Sequence, residues 1–173
     1  MQQTILGLGA LMIITMLSVQ QQKASMMNLE GIYIKEMETA AIDYARMRTE
    51  QIVNSVAFDE SRVGSTELDV DTQSLTAVAG MGKDSGETDE PDFDDLDDFH
   101  EFEEEIIHVL SADSFRFNVS YEVQYINPLS PSSTPTTPTL AKEFSISVVA
   151  ADSIGSNVAQ YAMSKTILVS DNL

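Results

Sequence analysis

Residues 1–22 carry no charged side chain, and between Ile5 and Leu17 every residue is apolar except Gly7, Gly9 and Thr15. Such a stretch has to be buried in lipid or in protein, because apolar surface left in water forfeits the main driving force of folding and association. The residues beyond it decide which kind of rod it is. After Lys23 there is no proline, turn cluster or cleavage site, and a helical pattern continues to about Phe58. Rod and stalk are therefore expected to form one helix.

The stalk carries its own stripe. Tyr33, Met37, Ala40, Tyr44 and Met47 recur at alternating steps of four and three, which places them on one helical face. Ile34, Ala41, Ala45, Ile52 and Val56 widen that face beyond a narrow seam. A continuous helix over residues 4–57 would be ~80 Å long at 1.5 Å per residue, against a usual globular helix of about a dozen residues. A small domain cannot cover it, so its apolar surface calls for other copies of the chain, lipid or a partner, and self-association is the economical expectation. The competing expectation is a single-pass anchor. Residues 1–22 reach the ~20 apolar residues of a span only by counting Gln20, Gln21 and Gln22. A secretory signal is disfavoured because the first basic residue, Lys23, follows the apolar run instead of preceding it.

Of 173 residues, the helix takes the front third and leaves about a hundred for a globular part, enough for one small core. The net charge of -19 and pI near 4.1 exclude nucleic acid and anionic headgroups as natural partners, since both would be repelled. Without cysteine there are neither disulfides nor thiolate metal sites.

The expected organisation is an apolar membrane or filament-core helix over 1–25, an amphipathic stalk over 26–58, a connector over 59–114, and a three-strand antiparallel meander over 115–173. The fold class is α+β: one long N-terminal helix, apolar then amphipathic, packed by a small C-terminal antiparallel sheet. Strand signals are clear. Phe115, Phe117, Val119, Tyr121, Val123 and Tyr125 alternate with polar residues; Phe144, Ile146, Val148 and Ala150 do so over 143–151. Tyr161, Met163, Ile167 and Val169 repeat the pattern, with Lys165 breaking the inner face. In the connector, 66–70 alternates briefly, suggesting one short strand or helical turn. Residues 84–105 hold 13 of the 28 carboxylates and no Lys or Arg. Phe93, Leu96, Phe99 and Phe102 punctuate that segment every third residue, a spacing that sets four apolar side chains on one side of a tight turn with the acids facing outwards.

Candidate chemistry is sparse. Asp92, Asp94, Asp95, Asp97, Asp98 and Glu101 offer the hard oxygens that calcium prefers, although the spacing is not that of an EF-hand; calcium is the one cofactor these residues suggest. His100 and His108, with Glu104, make only a loose metal arrangement. The segment 128–139 holds four of the five prolines and reads as an exposed loop. Its Ser130, Ser132, Ser133, Thr134, Thr136, Thr137 and Thr139 are candidate O-glycan acceptors. No nucleophile elbow, phosphate loop, dinucleotide fingerprint or zinc-protease motif appears, and no enzymatic activity is expected.

A charge-free rod running into an amphipathic stalk, an acidic connector and a terminal meander together resemble the type IV pilin and pseudopilin superfamily. The run Asp-Asp-Leu-Asp-Asp-Phe-His from Asp94 to His100 looks like the short Asp-rich motif between helix and sheet in many such proteins. The ending from Tyr161 to Ser170 looks like their last strand. The family usually carries Glu at the fifth position, where this chain has Ile5; its first carboxylate is Glu30. The resemblance implies a mature subunit trimmed to Met1, held in the inner membrane and then drawn into a helical homo-oligomer at the cell surface. Ile5, Leu6, Leu8, Leu11, Ile13, Ile14 and Leu17 would form the filament core. The alternative is a membrane-anchored extracytoplasmic module that captures cations or a basic partner through its acidic segment.

Overall fold

The computed structural model describes residues 2–62, 71–110, 113–127, 129–130, 135–151 and 160–168; the side chains of residues 2–6, 110, 113 and 160–168 lie outside the description. The chain is α+β. Its helix, α1 (Gln2–Ser55), runs uninterrupted for 54 residues, and the contacts divide the chain into two compact units, Met1–Met37 and Glu38–Leu173.

Within the first unit, residues 7–32 are exposed throughout. In the second unit the remainder of α1 is one-sided. Ala40, Ala41, Ala45, Ile52 and Val53 are buried, the small side chains letting the helix backbone approach its neighbours. The stripe differs from the expected one at a single step: Met47 is 57% exposed, and the next residue, Arg48, is buried. Steps of three and four from Ala41 and Ala45 lead to Arg48 and Thr49, not to Met47. α1 stops at Ser55 instead of near Phe58 because Ala57 leaves the helical ladder for a parallel bridge to Asp95. The Ala57 N–H donates to the Asp94 carbonyl at 2.9 Å, and the Leu96 N–H to the Ala57 carbonyl at 3.1 Å.

The sheet has four antiparallel strands in sequential order: β1 (Glu103–Leu110), β2 (Asp113–Tyr125), β3 (Ala141–Ala150) and β4 (Gln160–Leu168). The three expected strands are β2, β3 and β4; β1 is an addition, drawn from residues assigned to the connector. Its two faces each mix polar and apolar residues, which hid it. Glu104, Ile106 and His108 are half-buried, while Glu103, Glu105, Ile107 and Val109 are exposed, so polar residues share the covered face and apolar ones the wet face. The register pairs Val119 with Val148, Tyr121 with Ile146, Val123 with Phe144 and Tyr125 with Lys142. All of these are buried, and they form the inner face that the second part of α1 covers. The short alternation at 66–70 lies outside the described residues.

The acidic segment folds as foreseen in one respect. Two single 3-10 turns, Glu90–Asp92 and Asp97–Phe99, bring Phe93, Phe99 and Phe102 together, with ring centroids 5.0 Å apart for Phe93–Phe99 and 5.2 Å for Phe93–Phe102. Leu96 is fully buried beside them. Edge-on and stacked contacts continue from this cluster to Tyr121 and Phe144. The chain then reverses at Glu101, whose φ of 58° is a left-handed conformation.

Phe144 has no exposed surface and joins the acidic turn to the sheet. Phe144→Ala should lower stability by about 3–5 kcal/mol, read as a shifted urea midpoint; a loss under about 1 kcal/mol would mean that this face is not packed.

Candidate functional site

Among the described residues, the apolar rod and the acidic turn are the candidate places where this chain could meet something else. On the rod, Leu8, Leu11, Ile13, Ile14 and Leu17 are between 58% and 70% exposed; the side chains of Ile5 and Leu6 lie outside the described residues. At 100° per residue these positions, with Met12 and Met16, surround the helix instead of lining one face. A helix that is apolar all round is a buried helix in its working state. Among the described residues no helix is long and apolar enough to cross a membrane.

In the acidic segment the expectation that the acids face outwards holds for Asp84, Asp89, Asp92, Asp94, Glu101, Glu103 and Glu105 and fails at three positions. Asp95, Asp97 and Asp98 are each no more than 3% exposed, and Asp59, just after α1, is fully buried with them. The reason is Lys142. It lies on the inner face of β3, two residues before Phe144 in the same alternation, and has no exposed surface. Its Nζ donates to the Phe58 carbonyl at 2.6 Å, to Asp59 Oδ2 at 3.3 Å and to Asp97 Oδ1. It also lies 4.7 Å from the centre of the Phe58 ring and 5.1 Å from that of Tyr125. A cation closed off from the solvent surface must draw carboxylates inward, since a lone buried charge is prohibitively costly. Asp95 and Asp98 are held differently: Asp95 Oδ1 accepts the Asp97 N–H at 2.7 Å, and Asp98 Oδ2 accepts the N–H groups of Asp94 and Asp95, each at 3.1 Å. They satisfy the backbone of the turn itself.

The six calcium candidates are therefore not one shell. Asp95 and Asp97 turn inward, Asp92 Oδ2 faces the Thr88 N–H and hydroxyl at 3.5 Å, and Glu101 is exposed at the chain reversal. Only Asp94 and Asp98 converge, and with Glu87, which the spacing did not single out, they bring one carboxylate oxygen each within 4.8 Å of one another. Those three could hold a metal ion. Glu60 faces the same group, and the charge of Asp94 raises its pKa. His100 and His108 belong to no such group among the described residues; His100 Nδ1 instead accepts the Val123 N–H at 3.4 Å.

A second buried network ties α1 to the sheet. Arg48 Nε donates to Tyr121 Oη at 3.1 Å, and Tyr44 donates to Glu104 Oε1 at 2.8 Å. Tyr121 also donates to Glu104, and the Arg48 guanidinium pairs with Glu90. Burial and the Glu104 carboxylate push Tyr44 up to about 12. This network locks the helix face to β1 and β2.

Among the glycan candidates, Ser130, Thr136 and Thr137 are exposed. Thr139 is half-buried, and its hydroxyl is engaged with the carbonyls of Ile126 and Ala141 at 2.7 and 2.9 Å, which makes it a poor acceptor. Ser132, Ser133 and Thr134 lie outside the described residues. No family model matches this chain, and searches of curated proteins and of solved structures find no match either.

The buried acids set a pH dependence. Burial and the Asp97 charge push Asp95 up to about 8; burial and Glu87 push Asp98 up to about 6. In the unfolded chain both ionise near pH 3.9. The folded chain thus keeps protons that the unfolded chain has released, so stability falls as pH rises from about 4 to about 8. Asp59 acts in the opposite sense. Burial works to raise it, but Lys142 and the Thr76 N–H hold it below the usual carboxylate range, and its contribution is lost only in stronger acid. The urea midpoint should peak in mild acid and decline toward about pH 8, and Asp95→Asn should flatten the upper part of the decline. A wild-type midpoint that rises across that interval would contradict the assignment.

Proposed function

We propose that this chain is a structural subunit of a pilus-like extracellular filament, polymerising through the first part of α1. The observation that supports this most is the exposure of Leu8, Leu11, Ile13, Ile14 and Leu17 around a charge-free helix. Burying such a side chain fully is worth about 1.5–3 kcal/mol, so a handful of them supplies enough free energy to bundle helices from several copies. The second unit, acidic and stably cored, would coat the outside and keep the polymer soluble. Adhesion or motility, an inner-membrane stage before assembly and a surface location come from the resemblance to type IV pilins alone. No catalytic role is part of this reading.

Leu11→Asp should abolish filaments, because one unpaired carboxylate in an apolar bundle costs several kcal/mol. Negative-stain microscopy of surface material gives the answer, and undiminished filaments in the variant would remove Leu11 from the core.

A second reading, an anchored extracytoplasmic module that binds cations, is favoured by the convergence of Glu87, Asp94 and Asp98. Calorimetric titration of the full chain with calcium separates the two. Saturable heat that Asp94→Asn removes supports the cation-binding reading, whereas no heat at millimolar calcium dismisses it.

A further inference from the structure

Lys142 and Asp97 are brought together from distant parts of the chain into a site closed to the solvent surface. Lys142 is 0% exposed and Asp97 2%, and the rings of Phe58 and Tyr125 wall the amine. The two carboxylates that face it differ in a way that matters chemically. Asp59 is saturated: its Oδ1 accepts the N–H and hydroxyl of Ser61, and its Oδ2 accepts the Thr76 N–H at 2.9 Å and the Tyr125 hydroxyl at 3.1 Å. Asp97 has Oδ1 on the lysine, while its buried Oδ2 has no hydrogen-bond partner among the described residues. Asp95, 3% exposed, adjoins it through the Asp97 N–H.

We infer that Lys142 and Asp97 condense to an intramolecular isopeptide bond that ties β3 to the acidic turn, with Asp95 as the neighbouring acid. The reading is independent of filament assembly. Each element of the site serves the reaction. Moving one proton from Nζ to Asp97 turns the ion pair into an amine and a carboxylic acid, the forms that a desolvated site favours. The nitrogen lone pair attacks Asp97 Cγ, and the Nζ–Cγ bond forms as the carbonyl electrons move onto Oδ1. The Cγ–Oδ2 bond then breaks, the carbonyl re-forms, and Oδ2 departs as water carrying the acid proton and one proton from Nζ. The amide keeps the last Nζ proton, and no oxidant, reductant or activated donor is needed.

Asp95 is buried beside Asp97, with its Oδ1 on the Asp97 N–H. In its acid form it would pass a proton to the leaving oxygen. The fold supplies the rest by fixing amine and carboxyl in contact, which replaces a bimolecular encounter with an intramolecular one. Asp59 holds the amine in place and remains ionised, which makes it a poor electrophile.

The test is mass spectrometry of the full chain, denatured and weighed intact and after proteolysis. The expected result is a mass lighter by one water, with a branched peptide joining Lys142 to Asp97. Lys142→Arg and Asp97→Ala should each restore the full mass. Asp95→Asn, checked for folding by circular dichroism, should leave most chains uncross-linked; complete cross-linking in that variant would remove Asp95 from the step. A wild-type chain that yields only linear peptides containing Lys142 and Asp97, or a water loss mapped elsewhere, overturns the bond.

Discussion

The globular unit is organised around one buried lysine, an ammonium until it bonds to Asp97. Lys142 is closed off from the solvent surface, so everything that could neutralise it has been drawn to it: the Phe58 carbonyl, Asp59 and Asp97. These groups come from the end of the helix and from the acidic turn, and the lysine itself comes from the third strand. The contact therefore fixes where α1 ends, since Phe58 and Asp59 cannot reach Lys142 while continuing the helix. It also fixes the turn, whose backbone is clamped to Ala57 by two hydrogen bonds. Burying an ion pair instead of an apolar pair adds little stability. What it adds is a geometric demand: a shift of the turn would leave a carboxylate or an ammonium alone in the core.

With the second part of α1 committed to the sheet, the two parts of one helix meet opposite requirements. Beyond Met37 its alanines allow close packing, and Tyr44 and Arg48 reach the sheet through hydrogen bonds. Before Met37 its large apolar side chains remain exposed. That contrast leaves a cored domain and a rod whose apolar side chains call for burial against something else.

Much of this was legible from residue order. The period-two runs of β2 and β3 and the Phe93, Leu96, Phe99, Phe102 spacing all lie where the pattern put them, because each is a simple consequence of one face being dry. The misses share a cause. β1 was passed over because Glu104 and His108 sit on its covered face and Ile107 and Val109 on its wet one, so that each face mixes polar and apolar residues. The buried acids were read as a solvated ridge because carboxylates are normally exposed. Extending the β3 alternation two residues back from Phe144 lands on Lys142, and a lysine on an inner face is itself a signal that carboxylates must come to meet it. Arg48 was hidden in the same way, one position after a methionine that fitted the stripe better.

Hydrogen exchange at the Ala57 and Leu96 amides tests the organising role of Lys142 most directly, since these two bonds clamp the turn to the end of the helix. The expected result is protection comparable to the β2–β3 ladder in the wild type, with Lys142→Met losing it at Ala57 and Leu96 while Val119 and Val148 stay protected. Wild-type Ala57 and Leu96 amides that exchange as fast as an exposed loop, or protection that survives in the variant, would contradict it.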